Sequence, residues 1–156
     1  MLATVGHMIR TRAARDSDHG FLKQLHHRAY REVVTRQFGT WVESDQDAWF
    51  EQGLREAQFR IVEQGKVAIG AIGAHTAQDH VYLAELQILP EFQNQGIGGA
   101  LLVAELERAR ALGLPVRLRV LRQNRARKLY ERHGFEVTGE TETHYLLERA
   151  AVDVRA

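Results

Sequence analysis

The chain has 156 residues, of which 44% are hydrophobic and 26% charged, and it contains no cysteine. That length supports one domain able to bury a core without crosslinks, and the missing thiols exclude a cysteine nucleophile, a disulfide framework and any Cys-ligated metal while suiting a reducing cytoplasm. A net charge of +1 gives no reason to expect nucleic acid, and no apolar run approaches the roughly 20 residues that cross a bilayer.

Residues 1–7, MLATVGH, lack the basic and apolar parts of a secretory signal. They read as a tag remnant or a disordered start, which leaves 8–156 as a single domain. MIRTRAA (Met8 to Ala14) alternates and predicts a first strand. Asp16 or Ser17 can cap a helix that buries Phe21, Leu25 and Ala29 on one face, and TRQFGTW then reads as a loop. A second helix is expected from Ser44 to Gly53. The run AQFRIVEQGKVAIGAIGAHTAQDHVYLAELQILP predicts a three-stranded antiparallel meander, with turns near Gln64-Gly65-Lys66 and Gln78-Asp79-His80.

Pro90 cannot donate to a ladder and ends the third of these strands. Beyond the glycines, Leu101, Leu102, Leu106 and Ala109 form a helical stripe that stops at Gly113. PVRLRVL alternates as a strand, NRARKLYERHGF predicts a short helix closed by His133-Gly134, and FEVTGE with THYLLER predicts a final hairpin. The order β-α-α-β-β-β-α-β-α-β-β implies an α/β (α+β) fold: a mixed, mostly antiparallel sheet of about seven strands flanked by four helices.

Charge is unevenly placed along this frame. Arg108 to Arg132 holds nine basic residues against the single acid Glu131, whereas Val42 to Glu63 holds six acids against Arg55 and Arg60. The basic run suits an anionic cofactor and the acidic run a cationic substrate; for each, a solvated face is the plainer reading.

QNQGIGGA, Gln93 to Ala100, carries three glycines between a strand and a helix. Such a turn converges backbone N–H groups on the positive end of a helix dipole and suits a phosphate. A dinucleotide fingerprint fails because its third glycine position is Leu101, and a Walker A loop fails because no Gly-Lys-Ser/Thr follows. By themselves the glycines fit a ligand-free tight bend equally well.

Two motifs in order decide between these readings. Gln93-x-x-Gly96-x-Gly98 after a strand ending in ILP, followed by LRQNRARKLYERHGFEV with Asn124 and Tyr130, resembles the signatures of the Gcn5-related N-acetyltransferases over about Ala68 to Arg149. The resemblance implies acetyl-CoA as cofactor, with Gln87, Ile88 and Leu89 along its pantetheine arm and Ile88 as the main-chain partner. Its pyrophosphate would rest on the amides of Gln93, Asn94, Gln95, Gly96, Ile97, Gly98, Gly99 and Ala100. Gln95 stands where Arg or Lys often stands in the family.

The same resemblance makes Asn124 a side-chain contact to the cofactor, although N-capping is its ordinary role. Tyr130 becomes the general acid, since a phenol with a pKa near 10 can donate to the departing thiolate. Glu85 becomes the candidate base, with a cross-strand ion pair as the alternative. Strand alternation puts Leu83, Glu85 and Gln87 on one face. Tyr30, Trp41, Glu85 and Gln87 would line the acceptor side, where plain packing is the alternative for the aromatics.

No metal-binding spacing appears, so no metal is expected. The function implied is direct acetyl transfer to a primary amine, first on a small molecule and second on a protein or peptide. A non-catalytic CoA-binding module of the same fold is the rival. The location implied is cytoplasmic, with no nucleic acid or membrane partner, as a monomer or as a homodimer through the C-terminal hairpin.

Overall fold

A computed structural model describes residues 2–4 and 7–151. Its strands are β1 (Leu2–Thr4), β2 (His7–Ala13), β3 (Gln58–Gln64), β4 (Val67–Thr76), β5 (Val81–Ile88), β6 (Val116–Leu121), β7 (Glu136–Glu140) and β8 (His144–Arg149), and its helices are α1 (His19–Phe38), α2 (Glu43–Glu56), α3 (Ile97–Leu112) and α4 (Ala126–Arg132). One sheet runs in the order β1-β2-β3-β4-β5-β6-β8-β7, and every pair is antiparallel except β5 with β6. The expected meander, glycine-closed α3 and terminal hairpin are all present. Leu2–Thr4 lies along β2 as an edge strand beyond the seven expected.

Two cores lie on opposite faces of this sheet. Leu22, Leu25, Phe50, Ile61 and Ala71 pack beneath α1 and α2. Val62, Ile72, Leu83, Ile88 and the α3 stripe Leu101, Leu102, Leu106 and Ala109 form the other core, together with Tyr130 and Phe135 from the α4 side.

Helix α1 is longer than expected. It continues to Phe38 and stops at Gly39, whose φ is 77° and whose N–H donates to the Thr35 carbonyl. Val33 and Val34 are buried, and burial of these β-branched residues outweighs their weak helix preference. Neither Asp16 nor Ser17 caps it. Asp18 precedes the helix, and its carboxylate accepts from the Arg12 guanidinium and the Arg15 N–H.

The main departure lies within β5. Gly73 pairs with Glu85 but Ala74 pairs with Leu83, so Ala84 is an extra residue opposite β4. This β-bulge reverses the alternation. Leu83 stays with Leu86 and Ile88 toward the α3 core, and Glu85 turns to the α1 face, where it meets Tyr30. The expectation that Leu83 shares a face with Glu85 and Gln87 is therefore corrected.

Close approach fixes one glycine opposite the end of β5, where Gly70 pairs with Ile88. A Cβ on Gly70 would overlap the Gln87 carbonyl oxygen and lie 2.8 Å from Ile88 Cδ1. Gly70→Ala is expected to destabilise the fold by about 1–3 kcal/mol, the usual range for overpacking. Urea denaturation measures this directly, and an unchanged midpoint would show that β5 yields freely.

Candidate active site

Strands β5 and β6 pair only at Val81 with Val116 and Tyr82 with Arg117. Beyond Tyr82 they separate, and β6 continues along β8 while β5 continues along β4. A slit opens between them. The Leu89 N–H donates to the Ile69 carbonyl at 2.8 Å, so antiparallel alternation turns the main chain of Gln87 and Leu89 toward β4 and that of Leu86 and Ile88 into the slit. Of the three residues assigned to the pantetheine arm, only Ile88 presents backbone there. Its carbonyl accepts from Gln93 Nε2 at 2.9 Å.

The glycine turn follows the short helical turn Pro90–Phe92. Asn94 has φ 62° and Gly96 φ 78°. Asn tolerates this left-handed backbone and glycine adopts it without steric cost, which aims the intervening amides outward. Gln93 N–H donates to the Pro90 carbonyl and Ala100 N–H to that of Gly96. Between them, among the described residues, the N–H groups of Asn94 through Gly99 have no acceptor within the chain. A Cβ on Gly98 or Gly99 would meet only Leu129 and His133 at 3.9 Å, so internal packing does not demand glycine at either position. Unpaired amides, absent side chains and a helix N-terminus together fit a pyrophosphate.

Ile97 is an anchor, with its side chain buried in the α3 core. Gln95 folds back, donating from Nε2 to the Glu91 carbonyl at 3.4 Å. Asn124 Oδ1 accepts from the Ala126 N–H at 2.9 Å. It thus braces the first turn of α4 from just before the N-cap Arg125, and its amide nitrogen donates to nothing among the described residues.

Glu85 is partly buried between α1 and the slit. The Tyr30 hydroxyl donates to its Oε2 at 2.6 Å, and Gln87 Nε2 donates to the same oxygen at 3.2 Å. Burial raises the carboxyl to about 7, against the opposing pull of Tyr30 and of the Arg119 charge. A carboxylate that titrates near neutrality can both take and hold a proton. The alternative of a cross-strand ion pair fails, since its partners are a phenol and an amide.

Tyr130 approaches from the opposite face. It is 7% exposed, and its ring packs edge-on against Phe135 at 5.6 Å. Burial, and then the Glu85 charge, push its phenol upward. Among the described residues nothing in the chain hydrogen-bonds its hydroxyl, although buried polar groups nearly always have partners.

Trp41 is not brought to this place. Its Nε1 donates to Glu43 at 3.2 Å, and its ring packs against His27 at 5.4 Å beneath the Arg31 guanidinium. His26 was the less legible residue. It is buried beside Tyr30 at 5.1 Å between ring centroids, and its Nε2 lies 3.0 Å from Gln46 Oε1. The spacing of His26 and Tyr30, one helical turn apart, was the available signal. His27, Glu43 and Asp47 bring ligand-type atoms within 4.8 Å of one another. The two imidazole nitrogens face different carboxylates, at 3.3 and 2.9 Å, which is the geometry of two imidazole–carboxylate contacts between α1 and α2.

A family model described as an acetyltransferase (GNAT) domain matches residues 55–137. Among solved structures, the fold resembles the PaiA N-acetyltransferase of Thermoplasma acidophilum in complex with coenzyme A, with a TM-score of 0.76 and 21% identity over 92% of this chain and 99% of that one. It also resembles the ribosomal-protein-S18-alanine N-acetyltransferase of Escherichia coli, with a TM-score of 0.69 and 16% identity over 96% and 99% of the two chains. Arabidopsis thaliana Naa50, in complex with the bisubstrate analogue CoA-Ac-MVNAL, aligns with a TM-score of 0.65 and 20% identity over 91% and 98%. Comparison with curated proteins finds no match.

Proposed function

Because the chain belongs to the GNAT acetyltransferase domain family, we propose that it is an acetyl-CoA-dependent N-acetyltransferase transferring acetyl directly to a primary amine on a small molecule. The observation that carries this reading is the buried Tyr130 hydroxyl, which has no hydrogen-bond partner among the described residues and lies within reach of the Glu85 charge. The free amides from Asn94 to Gly99 would hold the pyrophosphate, Ile88 would align the pantetheine arm, and the Asn124 amide would add a side-chain contact.

When bound, acetyl-CoA supplies the acetyl thioester, whose sulfur departs with negative charge. An amine of lysine-like pKa, about 10.4, reaches the site as ammonium. Glu85 Oε1, the carboxylate oxygen not engaged by Tyr30 or Gln87, takes its proton. Tyr130 then donates a hydrogen bond to the departing sulfur as the C–N bond forms and the C–S bond breaks, and the nitrogen's second proton ends on that sulfur as the free thiol. A phenol held above its usual value transfers its proton fully only uphill to a thiol of pKa about 8.5, so hydrogen bonding rather than complete transfer is its role. Once Glu85 is protonated, the charge that helped raise Tyr130 is gone, which eases donation at the moment it is needed.

A compact acceptor suits the way α1 closes the far side. Arg36 donates to the Gln123 carbonyl at 2.6 Å, Gln37 donates to the Thr143 carbonyl at 2.8 Å, and the Gln123 N–H donates back to Gln37 at 3.0 Å. These bonds tie α1 to the β6–α4 connection at Gln123 and to the β7–β8 turn at Thr143. The cytoplasm is the setting proposed.

Acetyl-CoA is expected to raise the melting temperature, since a ligand at 100 times its Kd stabilises the native state by about 2.7 kcal/mol. Thiol release should then appear with small primary amines in a panel that includes peptide N-termini. No thermal shift would overturn the cofactor assignment. A shift without turnover on any amine would favour the binding module, and turnover confined to peptides would move the acceptor to proteins.

A further inference from the structure

We propose that Tyr30 is a positioning residue that holds Glu85 Oε2 and leaves Oε1 as the one oxygen that accepts the acceptor's proton. This rests on the reading of Glu85 as the base. Its own support is geometric. Tyr30 sits on α1, and its hydroxyl donates to Oε2 at 2.6 Å. Gln87 Nε2 reaches that same oxygen at 3.2 Å. Two donors on one oxygen fix the carboxylate plane, and the remaining lone pairs belong to Oε1.

The phenol is itself held in place. Tyr30 packs against buried His26 at 5.1 Å, and His26 is tied through Nε2 to Gln46 on α2 at 3.0 Å. Helix α1 is anchored on each side of the slit, by Arg28 to Glu91 after β5 and by Arg36 to the Gln123 carbonyl after β6. Tyr30 lies between these two ties. A hydroxyl fixed in this way costs little further ordering when the base acts.

The groups that act on Glu85 by hydrogen bond or by charge come from four elements. They are Tyr30 from α1, Gln87 and Tyr82 from β5, Arg119 from β6 and Tyr130 from α4. Among the described residues, Arg119 is the cation whose charge acts on Glu85. Tyr30 favours the ionised carboxylate, and burial opposes it. Burial and the Glu85 charge hold the Tyr30 phenol well above its ordinary value, so it stays a donor throughout the working range. Tyr30 therefore keeps Glu85 ionisable near neutral pH in a setting that would otherwise keep it protonated.

The test is Tyr30→Phe, which retains the ring against His26 and removes only the hydroxyl. The acidic limb of kcat is expected to move upward by about one pH unit, because a hydrogen bond to a charged group is worth about 1.5–3 kcal/mol and one unit is 1.36 kcal/mol. At pH 7 activity should fall about fivefold, and it should recover at high pH. The same shift should appear in the ligand-free protein as a higher titration midpoint of the Glu85 side-chain carboxyl carbon by NMR. Site-specific 3-fluorotyrosine at position 30, a stronger donor, should move both midpoints downward. A uniform loss of activity at every pH with an unmoved carboxyl titration would overturn the proposal and leave Tyr30 a packing residue. If the titration moves while Glu85→Gln keeps full activity, the coupling of Tyr30 to Glu85 stands and the base assignment falls.

Discussion

Glu85→Gln is expected to lower kcat by about 10²–10⁴-fold, the span associated with general acid–base catalysis, and to raise the melting temperature at pH 8. The two effects share one cause. The glutamate carboxyl goes from an ordinary 4.5 to about 7 in the folded protein, because burial penalises its charge. Between those values the folded chain keeps a proton that the unfolded chain releases, so stability falls as pH rises through that window. Above it the carboxylate is ionised in a setting that resists the charge, at a cost of at most about 3 kcal/mol, reduced by its partial solvent access. Glutamine is neutral at every pH and can still accept from the Tyr30 hydroxyl. The stability gain should therefore be present at pH 8 and vanish toward pH 4.5. A gain of equal size at both pH values would show that Glu85 is not held up by burial.

Tyr130→Phe is the second large effect. The phenyl ring keeps its edge-on contact with Phe135 and its place in the α3 core, so the fold should change little. Only a hydroxyl with no hydrogen-bond partner among the described residues is lost. The expected result is a fall in kcat of about 10²-fold or more with acetyl-CoA affinity nearly unchanged, the pattern of an interaction made chiefly in the transition state. Removal of a hydroxyl that served only structure would instead leave kcat alone. Isothermal titration with CoA, beside steady-state kinetics in the amine that turns over fastest, separates the two.

Helix α3 and the turn before it were legible because their signals are local. Leu101, Leu102, Leu106 and Ala109 repeat at helical spacing, Gly113 closes the helix, and Gly96 stands where the backbone must turn left-handed. The three meander strands could be read for the same reason. The bulge at Ala84 could not. It is a mismatch in pairing between β4 and β5, and no residue in LAELQIL announces it. Reading straight alternation through that strand placed Glu85 with Leu83, on the wrong face of the sheet.

Placement of the aromatics separates in the same manner. Tyr30 and Trp41 belong to one region of sequence, and both were assigned to the acceptor side. Packing sends Tyr30 to Glu85, 55 residues away, and Trp41 to His27, Glu43 and Arg31. Spacing on a helix sets which face a residue shares. It does not say what that face will meet.

From its sequence alone the chain determined the order of its main elements, the glycine turn and the Asn124–Tyr130 spacing, since each depends on neighbours within a few turns of backbone. Tertiary structure decided which amides remain unpaired, where β5 leaves β6, and that Tyr30 meets Glu85 on the α1 face while Tyr130 packs in the core on the other face. Those features depend on strand register and helix packing, which form only when distant segments close on one another.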